Sequence, residues 1–201
     1  MLMASFAEAQ VKNGADNTEN LTINNYRKST AFKQEIDALH PDYGIFDACM
    51  YYEINEQRAK HHLSILPWNV ALETSSFYHS KEMAQYHFFS HYNNLDETRL
   101  TAEKRGALAG IRNPLIAECI AEMSLIKPTY LEMCDEFIKL WMNSPPHRKI
   151  ILSNTANTIG IGFYFSDKLD IYATLDVQCY RIPVFDPEAA KDKLPFNSRF
   201  E

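Results

Sequence analysis

The sequence predicts an α+β fold in which helices cover a small antiparallel sheet. Three observations predict it. Four segments between Ile45 and Met142 carry apolar residues at helical spacing, two later segments alternate along a strand period across a short polar turn, and one further apolar run can pair with them. A sheet this narrow cannot bury its own faces, so the helices must lie on it. The chain has 201 residues, of which 46% are hydrophobic and 12% aromatic, enough for one substantial packed domain. Twenty Lys+Arg against 26 Asp+Glu give a net charge of −6, and no local basic stripe offsets it, so nucleic acid is not an expected partner. No run approaches the roughly 18 to 20 apolar residues of a membrane-spanning helix.

Taken in order, Met1 to Ala7 is a short apolar run, and Ala7-Glu8-Ala9 has the small-x-small form of a signal-peptidase site. These residues fit the back half of a secretion signal and an ordinary terminus equally well. From Val11 to His40 apolar residues are sparse, which predicts a solvated polar linker with a weak helix around Thr30 to Leu39. Residues 1–40 therefore read as a leader, with 1–9 as a residual signal segment, and the folded domain is expected over 41–181. The His40 to Gly44 turn opens that domain, and Ile45, Ala48, Cys49, Tyr52 and Ala59 mark the first helix. Asn69 caps a second helix that ends before Phe88-Phe89, Asp96 is expected to cap a third that stops at Gly106, and Pro128 to open a fourth. Leu115 to Ile120 is the lone strand; Ile159 to Phe165 and Ile171 to Val177 form the hairpin. From residue 182 to 201 the prolines predict an extended tail. Cys49, Cys119, Cys134 and Cys179 show no CxxC or zinc-ribbon spacing, and all three full pairings stay open.

Three polar residues sit where apolar elements end: His91 past the second helix, Glu118 inside the lone strand, and His147 past the fourth helix. Two imidazoles and a carboxylate are a plausible set for Zn2+ with open positions, with His91 and His147 as ligands. Each His read alone is equally a helix cap or a satisfied surface residue. Glu118 must find a partner or line a cleft, because an unpaired acid in an apolar strand is costly. Tyr86, Phe88 and Tyr92 are expected to line the mouth of such a cleft.

Six strings of residues carry a family resemblance. They are Ile54-Asn55-Glu56-Gln57-Arg58, Leu66-Pro67-Trp68-Asn69, His79 to Ala84 leading to Phe88-Phe89-Ser90-His91, Ala117-Glu118-Cys119, Trp141 to Arg148, and Ile159-Gly160-Ile161-Gly162. In this order the chain resembles the SCP-like domain of the cysteine-rich secretory, antigen 5 and pathogenesis-related (CAP) proteins in its bacterial form. The resemblance implies a three-layer α/β/α sandwich, secretion or attachment to the cell envelope, and a cleft of two His and two acidic residues. His91, Glu118 and His147 match three of that set; the second acid would fall near Ser144 or Pro145, where no carboxylate stands. The resemblance implies a non-enzymatic module that binds a lipid or small apolar ligand, a wall component or a protein partner. The alternative is a zinc-assisted peptidase or esterase in which Glu118 takes a proton from bound water. No His-Glu-x-x-His or Gly-x-Ser-x-Gly motif supports that alternative.

Overall fold

A computed structural model describes residues 21–179 of the chain, so the signal segment expected at 1–9 and the tail expected at 182–201 lie outside the described residues. Helix α1 spans Tyr43–Lys60, α2 Val70–Tyr86, a short α3 Ala102–Leu108, α4 Tyr130–Asn143 and α5 Pro145–Ile151. Strand β1 is Ile116–Ser124, β2 Thr158–Phe165 and β3 Asp170–Gln178. Side-chain oxygens open the helices where local chemistry demands it: Asp42 accepts from the Ile45 N–H, Asn69 from Ala71 and Leu72, Thr101 from Lys104, and Thr129 from Glu132. Asp96 caps a 3-10 turn at Glu97–Arg99 instead of the third helix, which starts afresh at Thr101. Pro128 stands before the cap of α4 rather than in its first turn, and its carbonyl accepts from the Ile36 N–H (2.8 Å).

The three strands are antiparallel in the order β1-β3-β2, which leaves one edge of β1 unpaired by the sheet. Helix α2 lies on one face of the sheet, and α1, α4 and α5 lie on the other, giving the three layers. The two interfaces differ in chemistry. On the α1/α4 side Phe46, Phe137 and Phe163 interlock, with ring centroids 4.7 Å apart for Phe46–Phe163 and 5.4 Å for Phe137–Phe163. On the α2 side the contact is close and polar. A Cβ on Gly160 would fall 2.1 Å from the Glu73 amide nitrogen, and one on Gly162 would fall 2.2 Å from that of Phe77. Small hydroxyl side chains fill what space remains: Ser76 and Ser80 donate to the carbonyls of Gly160 (3.2 Å) and Gly162 (2.8 Å), and Ser75 donates to Asp176 (2.8 Å).

The leader expected over 1–40 is corrected for its second half. Tyr26 and Phe32 are buried in the main core, and Tyr26 stacks on Tyr52 with centroids 5.4 Å apart. Residues 30–39 form turns rather than a helix, held to α4 through Leu131 N–H to Phe32 O (2.8 Å). Few apolar residues suffice here because the polar ones are paired: Arg27 reaches Glu53, Glu56 and Asp135 together. The Ile54 to Arg58 string is likewise structural. Asn55 exchanges two hydrogen bonds with the backbone of Leu66, while Arg58 donates to the carbonyls of Ser64, Ile151 and Ser153, clamping the end of α5.

Gly162→Ala is expected to lower unfolding free energy in urea by about 3 kcal/mol or to abolish folding, since the methyl would meet helix backbone that cannot step aside. Gly44→Ala, where the nearest atom is an Asp42 side-chain oxygen at 3.2 Å, should change it by less than about 1 kcal/mol. Equal effects at the two glycines would contradict the close approach of α2.

Candidate functional site

Strand β1 sends alternate residues to opposite faces. Cys119 and Ala121 join the core under α1 and α4, whereas Ile116, Glu118 and Ile120 face α2 and α3. Glu118 is thereby carried into the interior, its side chain only 4% exposed, and it survives there because both carboxylate oxygens are engaged. Oε1 accepts from His91 Nδ1 at 2.8 Å, and Oε2 accepts from the guanidinium of Arg105, itself buried on α3. Burial alone would raise the Glu118 pKa; the His91 hydrogen bond and the Arg105 charge overcome it and hold the carboxyl below the usual glutamate range.

Arg105 does more than neutralise. Its Nη1 donates to the carbonyls of Arg99 (3.0 Å) and His91 (3.3 Å), so one guanidinium fixes the backbone of the loop that presents His91 and also the acid that orients its ring. A second imidazole lies behind the pair. His79 on α2 is fully buried, donates from Nε2 to the Ser90 carbonyl (3.0 Å), and comes within 3.9 Å of Glu118. Burial pushes the pKa of His79 down to about 4, against a smaller opposing pull from Glu118. Asp176 stands directly across from Glu118 in the β1–β3 register, and burial followed by the Glu118 charge raises its pKa well above the ordinary carboxyl value. Ser75 bonds one oxygen of Asp176 while the other is buried without a partner.

His147 arrives from the opposite layer. It lies past the end of α4, as expected, within the short helix α5, and its carbonyl sits 3.9 Å from the Cys119 sulfur. Burial, and then the charge of His91, lowers its pKa. His147 Nδ1 is buried without a hydrogen-bond partner. His91 is half exposed, at 48% of its side chain, and with Nδ1 given to Glu118 its Nε2 is the nitrogen left for an outside group. Among the described residues no group of three or more His, Cys, Asp or Glu forms a metal shell. The candidate donors are two imidazoles, one of them held from behind by a carboxylate.

The aromatic residues divide. Tyr92 is exposed beside His91, its N–H donating to Ser90 Oγ (3.0 Å). Tyr86 and Phe88 lie at the end of α2, where His87 takes a left-handed conformation (φ 56°) and turns Phe88 toward Met83, Ala84, Ile120 and Tyr172. Tyr86 lines a hollow of about 530 Å3 with His87, Tyr164 and Asp167, and Phe88 lines one of about 250 Å3 with Phe89, Glu122 and Tyr172. Neither of these two hollows is lined by His91, Glu118 or His147, while the Phe88 ring lies 6.0 Å from that of His79. Arg105, His79 and Asp176 were not legible as site residues from the sequence.

Arg105→Met should strip the countercharge from a buried carboxylate and lower stability by about 3–5 kcal/mol in urea unfolding, with most of the loss regained on adding Glu118→Leu. A pH series separates His79. Above about 6.5 it is neutral in both folded and unfolded chains; between that value and about 4 only the unfolded chain takes up the proton, so stability falls as pH falls. His79→Gln should flatten that slope relative to the parent, the opposing contribution of Asp176 being common to both proteins. Parallel pH profiles would contradict a buried neutral His79.

Comparison with known proteins matches this arrangement to one family. The family model described as the cysteine-rich secretory protein family, CAP, matches residues 51–177. No curated protein matches the chain. Among solved structures, an extracellular SCP-domain protein of Bacillus anthracis is similar with a TM-score of 0.55 and 24% identity, covering 69% of this chain and 41% of that one. An outer surface protein of Borrelia burgdorferi gives 0.52 and 21%, covering 65% and 90%. A cysteine-rich secretory protein of Staphylococcus aureus gives 0.50 and 18%, covering 69% and 40%. The chain thus accounts for about two fifths of the length of the Bacillus and Staphylococcus proteins. With three layers, the β1-β3-β2 sheet and a family match over most of the folded region, the chain belongs to the CAP, or cysteine-rich secretory protein, family.

Proposed function

We propose that this CAP domain is a non-enzymatic binding module of a secreted or cell-envelope protein, and that the edge of β1 marked by His91 is where it meets an apolar ligand such as a lipid. The observation that carries this reading is the double engagement of Glu118. A carboxylate bonded to His91 and to a buried guanidinium, and held below its usual range, is a poor proton acceptor and a good positioning group. The reading is supported further by the loop between α2 and α3, where Phe89, Tyr92 and Leu95 are exposed large apolar residues on either side of His91. Location outside the cytoplasm is supported by the extracellular and outer-surface descriptions of two similar structures. Among the described residues no helix is long and apolar enough to cross a membrane.

A second reading, a zinc site, is favoured by one feature: Glu118 takes His91 Nδ1 and leaves Nε2 outward, the arrangement of a carboxylate-oriented metal-binding imidazole. His91 and His147 would hold the ion, with water completing its shell, and a bound zinc would supply Lewis acidity to that water. Two protein ligands fall short of the three usual in catalytic zinc sites, which ranks this reading, and the peptidase or esterase chemistry it would serve, below the first.

Both readings are tested on the full chain. Binding to fluorescent lipid vesicles should saturate, and Tyr92→Ala should weaken it on the order of tenfold with an unchanged melting temperature. Wall fragments or a protein partner retained where vesicles are not would move the reading to those ligands, while no saturable binding to any of them would overturn it. Calorimetric titration with zinc should give weak binding lost in His147→Ala; identical isotherms, or none in either, would end the metal reading.

A further inference from the structure

All four cysteines fall within the described residues and all four are free thiols, but the fold treats them unequally. Cys119 stands opposite Leu175 in the β1–β3 register, and Cys179 lies four residues further along the chain, bonded through its N–H to Leu115 O. At roughly 3.3 Å per residue that offset is about 13 Å, and cysteines whose Cα atoms are more than about 7 Å apart cannot be bridged. Cys119 and Cys179 therefore cannot join without breaking the sheet.

Cys49 and Cys134 are placed differently. Helices α1 and α4 pack side by side in the same layer, and both cysteines point into their shared core with 0% exposure. The Cys134 sulfur lies 3.8 Å from the carbonyl of Phe46, which precedes Cys49 by about one turn on the same face of α1. Burial raises the pKa of both thiols.

We infer that Cys49 and Cys134 are a dithiol site that closes to a disulfide when the chain folds in the presence of a low-molecular-weight disulfide, fastening α1 to α4. The step balances with glutathione disulfide as oxidant. One cysteine thiolate attacks it, forming a mixed disulfide and releasing one glutathione thiolate. The second cysteine thiolate then attacks the protein sulfur of that mixed disulfide, the Cys49–Cys134 bond forms, and the second glutathione leaves. The protein loses two electrons and two protons, and glutathione disulfide becomes two glutathione thiols. Complete burial sets when this happens. In the folded reduced protein both sulfurs are out of reach and burial keeps both thiols protonated, so closure belongs to folding, before α4 has docked. The bond would lie in the same layer as α5, which carries His147, and it leaves Cys119 and Cys179 as thiols.

The test uses the full chain, unfolded, reduced and refolded with a glutathione redox buffer, then alkylated and digested without reduction by a glutamate-specific protease. Cleavage after Glu122 and Glu132 separates Cys119 from Cys134, and cleavage after Glu53 separates Cys49 from both. The expected result is a linked Cys49/Cys134 peptide pair with Cys119 and Cys179 alkylated. Refolded oxidised protein should melt higher than reduced protein by on the order of 10 °C, a difference absent in Cys134→Ala. Alkylation of all four cysteines, or linkage through Cys119 or Cys179, would overturn the inference even if the alanine variant fails to fold. Linkage forming as readily on folded reduced protein would overturn its coupling to folding.

Discussion

One buried carboxylate organises the edge of this sheet. Glu118 cannot be ionised at 4% exposure unless its charge is matched, and matching it commits an arginine from α3 and an imidazole from the preceding loop. That requirement orders elements that hydrophobic packing alone would leave loosely coupled. Arg105 binds the backbone at Arg99 and His91 as well as Glu118, so the loop between α2 and α3, short on buried apolar residues, is held by a charge network instead. The same network leaves His91 at the surface with one nitrogen fixed and the other facing outward.

The polar character continues through the α2 face of the sheet. Glycines on β2 let the helix come so near that only hydroxyl side chains fit between them, and Ser75, Ser76 and Ser80 bond the strands directly. Close approach and hydrogen bonding replace the interlocked rings found on the other face. The raised pKa of buried Asp176 beside the lowered one of Glu118 fits the same pattern, since two like charges facing each other across paired strands disfavour each other's ionisation. The CAP fold here combines one oily interface, which supplies most of the hydrophobic driving force, with one polar interface that fixes the position of the site.

Much of this was legible in the residues. The β2–β3 hairpin followed from strict alternation, α1 and α2 from their periodicity, and a partner for Glu118 from the cost of an unpaired acid in an apolar strand. What stayed hidden has a common physical cause. Alternation in β3 normally implies one wet face, so Thr174 and Asp176 read as solvent-facing; both are buried because α2 covers that face with small polar residues that carry no hydrophobic stripe. Arg105 and His79 are ordinary polar residues within helices, and nothing in their neighbours distinguishes burial beside an acid from exposure to water. Tyr26 and Phe32 were lost among the polar residues of the presumed leader, because burial of isolated aromatics depends on partners far along the chain, Tyr52 and Glu53 among them.

The account stands on Glu118 acting as the group that orients His91 rather than as a free base. Nitrogen-15 NMR of the His91 imidazole tests it most directly. The predicted result is a proton held on Nδ1 and hydrogen-bonded to Glu118, that fixed proton being lost in Glu118→Gln; a ring carrying its proton on Nε2 alone, or averaging freely between tautomers in the unmodified protein, would contradict it.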